Sequence, residues 1–405
     1  MSALVLSLLL AAGEFQHVAA DGGFPELNLI PTDTDSVAML VSFRTGYGDD
    51  LGVTGLSAQT QTAMTQANSA FPLKKWTERA FAGDVRLRYS QGRYQTQYVL
   101  SAPREEFPGA AIMLLTALLA PRLDAAQFEA LMGRASPLGV MDNEAEFLVQ
   151  LLEPLVLEGT NPVPFRPTWV QFQRMKAYLN EFMVPANATV TIVGGFDPAA
   201  LLPTLTRYSG GTRRIIRRAT TRNDVNRLIP AERSLHIIGY PLPELSAEQV
   251  AAVRIIDAML YESLTIGLRD RGLAYSISVN PDLTEWFNGV LLIVPAFDIY
   301  GSDLEPFLVE RIGAVVHQRL TPETLQRFKE GVQLEDSLAR QQPALFVDRL
   351  AGSSVSAQWL SPAYVKALET LTPEQVSQAS SALFVNERRR FYVKFGPTAA
   401  TRRKP

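Results

Sequence analysis

The sequence predicts an α+β fold of two homologous domains, each a mainly antiparallel sheet with helices packed on one face. Two observations predict it. Apolar residues alternating with polar ones on either side of short turns mark hairpins in both halves, and apolar residues at helical spacing mark the segments between them. One succession also occurs twice: PTWVQFQRMKAYLNEFMVPANATVTIVGGFDP, from Pro167 to Pro198, and LTPEQVSQASSALFVNERRRFYVKFGP, from Leu371 to Pro397, both read helix, Asn-containing turn, strand and stop. The residues barely match, but the elements fall at the same offset, so the chain reads as two copies of one domain of about 200 residues.

Taken in order, FQHVAA, a DGG turn and LNLI form a hairpin, and VAMLVSF, ending at Phe43, is a buried strand. A helical region follows Gly55. VRLRYSQGRYQTQYVLSA then alternates about Gln91 and Gly92 as a second hairpin, whose Arg86, Arg88 and Arg93 suit a solvated face. Helical stretches run from Phe107 to Leu119 and from Ala125 to Leu157. Between the copies SGGTRRIIRRATTRNDVNR, from Ser209 to Arg227, carries six arginines against one aspartate, the composition of a solvated linker. The reading therefore divides the chain into residues 14–208, a basic linker 209–228 and residues 229–405.

The second copy opens with the strand LHIIGYP and continues into the best-defined helix of the sequence. Ser246 and Gln249 form a capping box, Val250, Val253, Ile256, Leu260 and Leu264 keep helical spacing, and Gly272 is the stop. LAYSISVN and WFNGVLLIVPAF read as strands, and LEPFLVERIGAVVHQRL and PETLQRFKEGVQLEDSLARQQ as amphipathic helices.

Composition narrows the function classes. Apolar residues make up 47% and charged residues 20% of the 405, and the net charge of −3 argues for a globular protein without a nucleic-acid or membrane partner. The absence of cysteine excludes disulfides, thiolate zinc sites and cysteine nucleophiles. His17, His236 and His317 are too far apart for a local metal motif, and no G-x-S-x-G elbow is present. Residues 1–13, MSALVLSLLLAAG, hold an apolar run too short to span a bilayer and resemble a signal peptide, although no basic residue precedes the run. On this basis a periplasmic or secreted location is favoured over a cytoplasmic one.

Three stretches together resemble the insulinase and mitochondrial-processing-peptidase family of zinc metallopeptidases. They are VSFRTGYGDDLGVTGLSAQTQTAM in the first copy, and LRDRGLAYSISV and TPETLQRFKEG in the second. In active members of that family the first stretch carries His-x-x-Glu-His on a helix, where two histidines hold zinc and the glutamate activates its water. Laid on this sequence, those positions fall on Ala58, Gln61 and Thr62. Alanine and threonine bring no imidazole, and a glutamine amide cannot act as a general base. The family's third ligand, a glutamate, would fall at Ser136 to Gly139, a stretch without an acid before Asp142.

The other half of the family's site is an arginine and a tyrosine from the second domain, matched by Arg269 and Tyr275, with Arg271 as an alternative to Arg269. A guanidinium can hold a peptide oxygen and a phenol can donate to a developing oxyanion. Packing explains the same residues: Tyr275 alternates with Leu273, Ile277 and Val279, and a cation suits a helix C-terminus. The resemblance implies a clamshell of two halves and a non-catalytic subunit of a heterodimeric zinc peptidase. Zinc is expected in a homologous partner subunit and no cofactor in this chain, which would close a chamber for unfolded or extended peptides. A structural or peptide-binding scaffold subunit is the alternative.

Overall fold

The computed structural model describes residues 16–18, 23–50, 55–70, 73–92, 94–132, 170–214, 226–230, 234–242, 245–274, 277–283, 288–296, 304–351, 362–384 and 391–396. They form two compact units. The first comprises the described residues up to 214 together with Ser337–Ala351, and the second comprises the remainder.

The first unit is built on strands β1 (Gln16–Val18), β2 (Glu26–Pro31), β3 (Ser36–Phe43), β4 (Arg86–Gln91), β5 (Thr96–Pro103) and β6 (Ala188–Gly194), in the spatial order β1-β2-β6-β3-β5-β4. Only β2 and β6 pair in parallel; every other neighbour is antiparallel. The helices are α1 (Leu56–Gln66), α2 (Leu73–Gly83), α3 (Phe107–Leu119), α4 (Ala125–Met132), α5 (Phe172–Phe182) and α6 (Pro198–Leu205). On one face of the sheet Val37, Met39, Val41 and Phe43 of β3 share a core with Leu114 of α3 and Met175, Tyr178 and Leu179 of α5. Both predicted hairpins form, and α3 has the predicted bounds. The predicted helical stretch from Ala125 begins as α4, and its continuation beyond Met132 lies outside the described residues.

The second unit is built on β7 (Asn226–Pro230), β8 (Ser234–Pro241), β9 (Ser278–Leu283), β10 (Asn288–Ala296) and β11 (Phe391–Gly396), in the order β7-β11-β8-β10-β9. The order repeats β2-β6-β3-β5-β4 strand for strand, down to the single parallel pair, here β7 with β11. Duplication is thus visible in topology where the residues have diverged. Its helices are α7 (Ala247–Asp270), α8 (Leu304–Val316) and α9 (Pro322–Gln341). Chain order then gives α10 (Pro343–Ala351), which belongs to the first unit, followed by α11 (Pro362–Thr370) and α12 (Pro373–Phe384). The repeated helix-turn-strand succession is α5 into β6 and α12 into β11.

Helix α7 follows its sequence signals. Ser246 and Gln249 make reciprocal side-chain bonds at its start, at 3.3 and 3.0 Å, and all five predicted apolar positions are buried. Its end differs from the reading of LAYSISVN as a strand from Leu273. Gly272 takes the left-handed conformation at φ +62°, and the Leu273 amide donates back to the Leu268 carbonyl at 2.9 Å. Helix termination therefore consumes Leu273, and β9 begins only at Ser278.

The expectation of helices on one face is corrected in the first unit. Ala38, Leu40, Val99 and Val193 point away from the main core yet are buried, and α10 packs over β3, β5 and β6 with Phe346, Val347 and Leu350 buried. The physical reason is written in β3: SVAMLVSF is apolar at successive positions, and a strand apolar on both sides needs cover on both. Arg88 of β4 also meets Asp348 of α10 in an ion pair, and Arg86 pairs with Asp84.

Candidate functional site

Helix α1 is the element on which the site question turns. It follows β3 and is anchored at its start by Asp50, whose carboxylate accepts from the Gly55 amide at 2.6 Å and the Ser57 amide at 2.8 Å. Two otherwise orphaned backbone donors are thereby satisfied by a negative charge at the positive end of the helix. Burial pushes the Asp50 carboxyl up, with hydrogen bonds from Ser57 and Gly55 opposing.

Gln61 and Thr62 are buried and Ala58 is half-buried. The Gln61 amide donates to the Ser90 carbonyl on β4 at 3.4 Å, and the Thr62 hydroxyl donates back to the Ala58 carbonyl at 3.2 Å. Their neighbours follow the same rule: Thr60 donates to the Leu56 carbonyl, and Gln59 accepts from the Val170 amide at the approach to α5. Gln59, Thr60, Gln61 and Thr62 thus bond to backbone groups, one way in which buried amides and hydroxyls are accommodated.

A zinc ion at these positions fails on donor chemistry. Ala58 has no donor atom, the hydroxyl of Thr62 is engaged with the helix, and Gln61 faces β4 with its amide. Among the described residues no group of three or more His, Asp or Glu side chains could hold a metal ion. Ser136 to Gly139 and Asp142 lie outside the described residues.

Beside α1 the structure assembles a polar cluster that the sequence reading missed. Thr45 hydrogen-bonds the Tyr178 hydroxyl at 2.7 Å and donates to Asp49 at 3.1 Å; Arg214 forms an ion pair with Asp49. The Arg214 amide donates to Asn187, whose own amide holds the carbonyls of Arg44 and Phe182. Arg214 also lies over the rings of Tyr94 and Phe182, 5.3 and 5.4 Å from their centroids. The linker was expected to be solvated, yet its Arg213 reaches Glu26 at 3.3 Å and its Arg214 is tied into the first unit. The legible signal was the Gly-Asp-Asp run ahead of α1; the distant arginine that answers it leaves no local trace.

In the second unit Arg269 is exposed in the last turn of α7, while Tyr275 lies outside the described residues. Arg271 caps the same helix and lies over the Phe307 ring at 4.6 Å. Buried polar groups sit nearer the start of α7. Arg254 lies 3.7 Å from Asp257 and 3.5 Å from both Glu335 and Asp336 of α9, and Tyr364 of α11 donates to Asp336. Burial pushes the Asp257 carboxyl up to about 7, against the pull of Arg254. His236 is fully buried on β8 and bonded to Tyr392, and burial with nearby Lys394 pulls its imidazole down to about 4.

Comparison with known proteins bears on the fold. Residues 170–330 match the family model described as the peptidase M16 inactive domain. No curated protein matches the chain in sequence. Among solved structures, a peptidase M16 inactive domain from Pseudomonas fluorescens superposes with a TM-score of 0.75 at 13% identity, covering 95% of this chain and 98% of that one. A protease from Helicobacter pylori gives 0.72 at 14% identity, with 95% and 99% covered. The first half of the periplasmic protease PqqL from Escherichia coli gives 0.69 at 16% identity, with 97% and 94% covered. Residues 170–330 thus match the peptidase M16 inactive domain model, and the chain as a whole shares the fold of these solved structures.

Proposed function

We propose that this chain is a non-catalytic subunit of a heterodimeric zinc peptidase, closing a peptide chamber whose metal is held by a homologous partner. The observation that carries the reading is α1, where Ala58, Gln61 and Thr62 stand at the positions of zinc ligands and general base with their polar atoms bound to the backbone. In this reading the helix keeps the place of a catalytic helix without its chemistry. A fold likeness to one half of a larger protease supports the same reading, since half of such a molecule has the size of this chain. That neighbour is a periplasmic protease, and export of this chain, with residues 1–13 as the signal, is part of the proposal.

In this reading Arg269 and Tyr275 reach the partner's site, one holding a substrate oxygen and the other donating to the developing oxyanion. Arg269 is exposed in the last turn of α7. The test is reconstitution with a homologue that carries His-x-x-Glu-His. The chain alone is expected to hold no stoichiometric zinc and to cleave no peptide, and the pair is expected to turn over. Arg269→Ala and Tyr275→Phe should each lower kcat/KM of the pair by roughly 10²-fold, the scale for loss of an oxyanion donor. Turnover by the isolated chain would refute the proposal.

A second reading, a scaffold that holds extended peptides without cleavage, is favoured by one feature. Strand β4 ends the order of the first sheet, and an edge strand offers backbone groups for β-addition. Unchanged turnover of the pair with both substitutions would select it.

A further inference from the structure

The second unit contains a cleft of about 270 Å³ between α7, α8 and α9 that the proposed subunit role does not use. Its lining is mostly polar, with apolar surface from Met259, Ile266 and Phe328, the last with Arg327 over its ring at 4.5 Å. Ile266 is 54% exposed and lies beside three charged side chains. Glu262 and Arg327 at one side neutralise each other through two bonds of 2.9 and 3.0 Å.

Arg311 is different. Among the described residues it has no carboxylate partner; its guanidinium lies 5.7 Å from the Phe307 centroid, and Arg271 lies over the same ring. Of these two guanidinium groups Arg311 lines the cleft. The close approach is built in: a β-carbon on Gly267 of α7 would stand 2.9 Å from Phe307 Cζ and 3.3 Å from Arg311 Nε. A side chain there would push α8 and its arginine away. Thr324, in the first turn of α9, and Ser263 add hydroxyls to the lining, and the positive end of the α9 dipole adds to the field.

We infer that this cleft binds the C-terminal residue of a peptide, its free carboxylate on Arg311 and its aliphatic side chain on Met259, Ile266 and Phe328. Size selects this occupant over a folded partner, since the space suits one or two residues and lies just below the roughly 300 Å³ at which drug-sized pockets begin. Charge selects the terminus over an internal stretch of peptide: among the described residues Arg311 has no carboxylate partner, it lines the cleft with the exposed Ile266, and a C-terminal leucine carries both complements on one residue. The cleft lies wholly within the second unit, so the inference stands whether or not the chain pairs with a peptidase.

The probe is a fluorescein-labelled tetrapeptide ending in leucine with a free carboxylate, titrated with the full chain by fluorescence anisotropy. Its C-terminal amide should bind at least about ten-fold more weakly, and Arg311→Gln should cost the acid about as much while leaving the amide unaffected, as loss of a charge-assisted bond implies. Ile266→Glu, at an exposed position that cannot disturb the core, should repel the acid by a similar factor and keeps the test valid if Arg311→Gln fails to fold. Equal binding of acid and amide, equal binding by both variants and the parent chain, or no saturable binding up to about 1 mM would each overturn the inference. A labelled peptide amide with an internal glutamate, bound as tightly as the free acid, would overturn the choice of the terminus.

Discussion

Helices α1 and α7 occupy the same position in two copies of one topology, each following the strand that pairs with its unit's hairpin, and they have been put to different uses. Helix α7 is long, closed by a capping box and a left-handed glycine, and buries Val250, Val253, Ile256, Leu260 and Leu264 in its unit's core. Helix α1, at 11 residues against 24, buries Ser57, Gln59, Thr60, Gln61 and Thr62 beside Leu56, Ala63 and Met64. A helix that buries so many polar side chains is an inefficient core element. Under the proposed function, its composition is that of a helix whose buried face once served a site.

The contrast can be broken first at the apolar helix. Leu264→Ala should destabilise the second unit by about 2–5 kcal/mol, read by thermal or denaturant unfolding, because its side chain is fully buried. A cost below about 1 kcal/mol would mean that α7 is not the core element described. Asp50→Ala should cost about 1–2 kcal/mol by freeing the Gly55 and Ser57 amides at the start of α1, with hydrogen exchange in that helix rising accordingly. Gln61→Ala should cost less than about 1 kcal/mol, since it removes one long bond to Ser90. If Gln61 proved as costly as Leu264, this account of α1 would fail.

A smaller effect sharpens the comparison through pH. The Asp257 carboxyl, raised from its ordinary 3.8 to about 7, holds its proton more tightly in the folded state than in the unfolded chain. Its contribution is therefore full below pH 4 and is lost as pH rises through 7. Asp257→Asn removes that titration and should flatten unfolding stability between about pH 5 and 8, the variant gaining on the parent chain towards the alkaline side. His236 acts in the opposite sense: with its imidazole lowered to about 4, it contributes above pH 6.5 and loses that contribution as pH falls through 4. Parallel pH profiles for parent and Asp257→Asn would show that the buried cluster on α7 does not titrate as described.

Much of the architecture was legible because it is encoded locally. The Ser246–Gln249 box, the 3.6-residue apolar spacing of α7, and the hairpin alternation about Gln91 and Gly92 each determine their own element. The repeat was legible as a rhythm of helix, turn and strand, and the strand orders of the two sheets agree with it. What escaped was long-range. That α10 would cover the second face of the first sheet is written only in the unbroken apolar run of β3 and the burial of Phe346 and Val347, more than three hundred residues apart in sequence. Likewise the partner of Asp49 is Arg214, in a stretch whose composition speaks for solvent. At the candidate site, Ala58, Gln61 and Thr62 were legible as residue types unable to hold zinc, but their backbone hydrogen bonds required the fold.

Metal content is the most direct test of the central claim. Purified chain loaded with zinc, passed through gel filtration and analysed by elemental mass spectrometry should retain well below one zinc per molecule, and a chelator should leave its melting temperature unchanged. One tightly held zinc per chain, with a melting temperature that falls on chelation, would contradict the account.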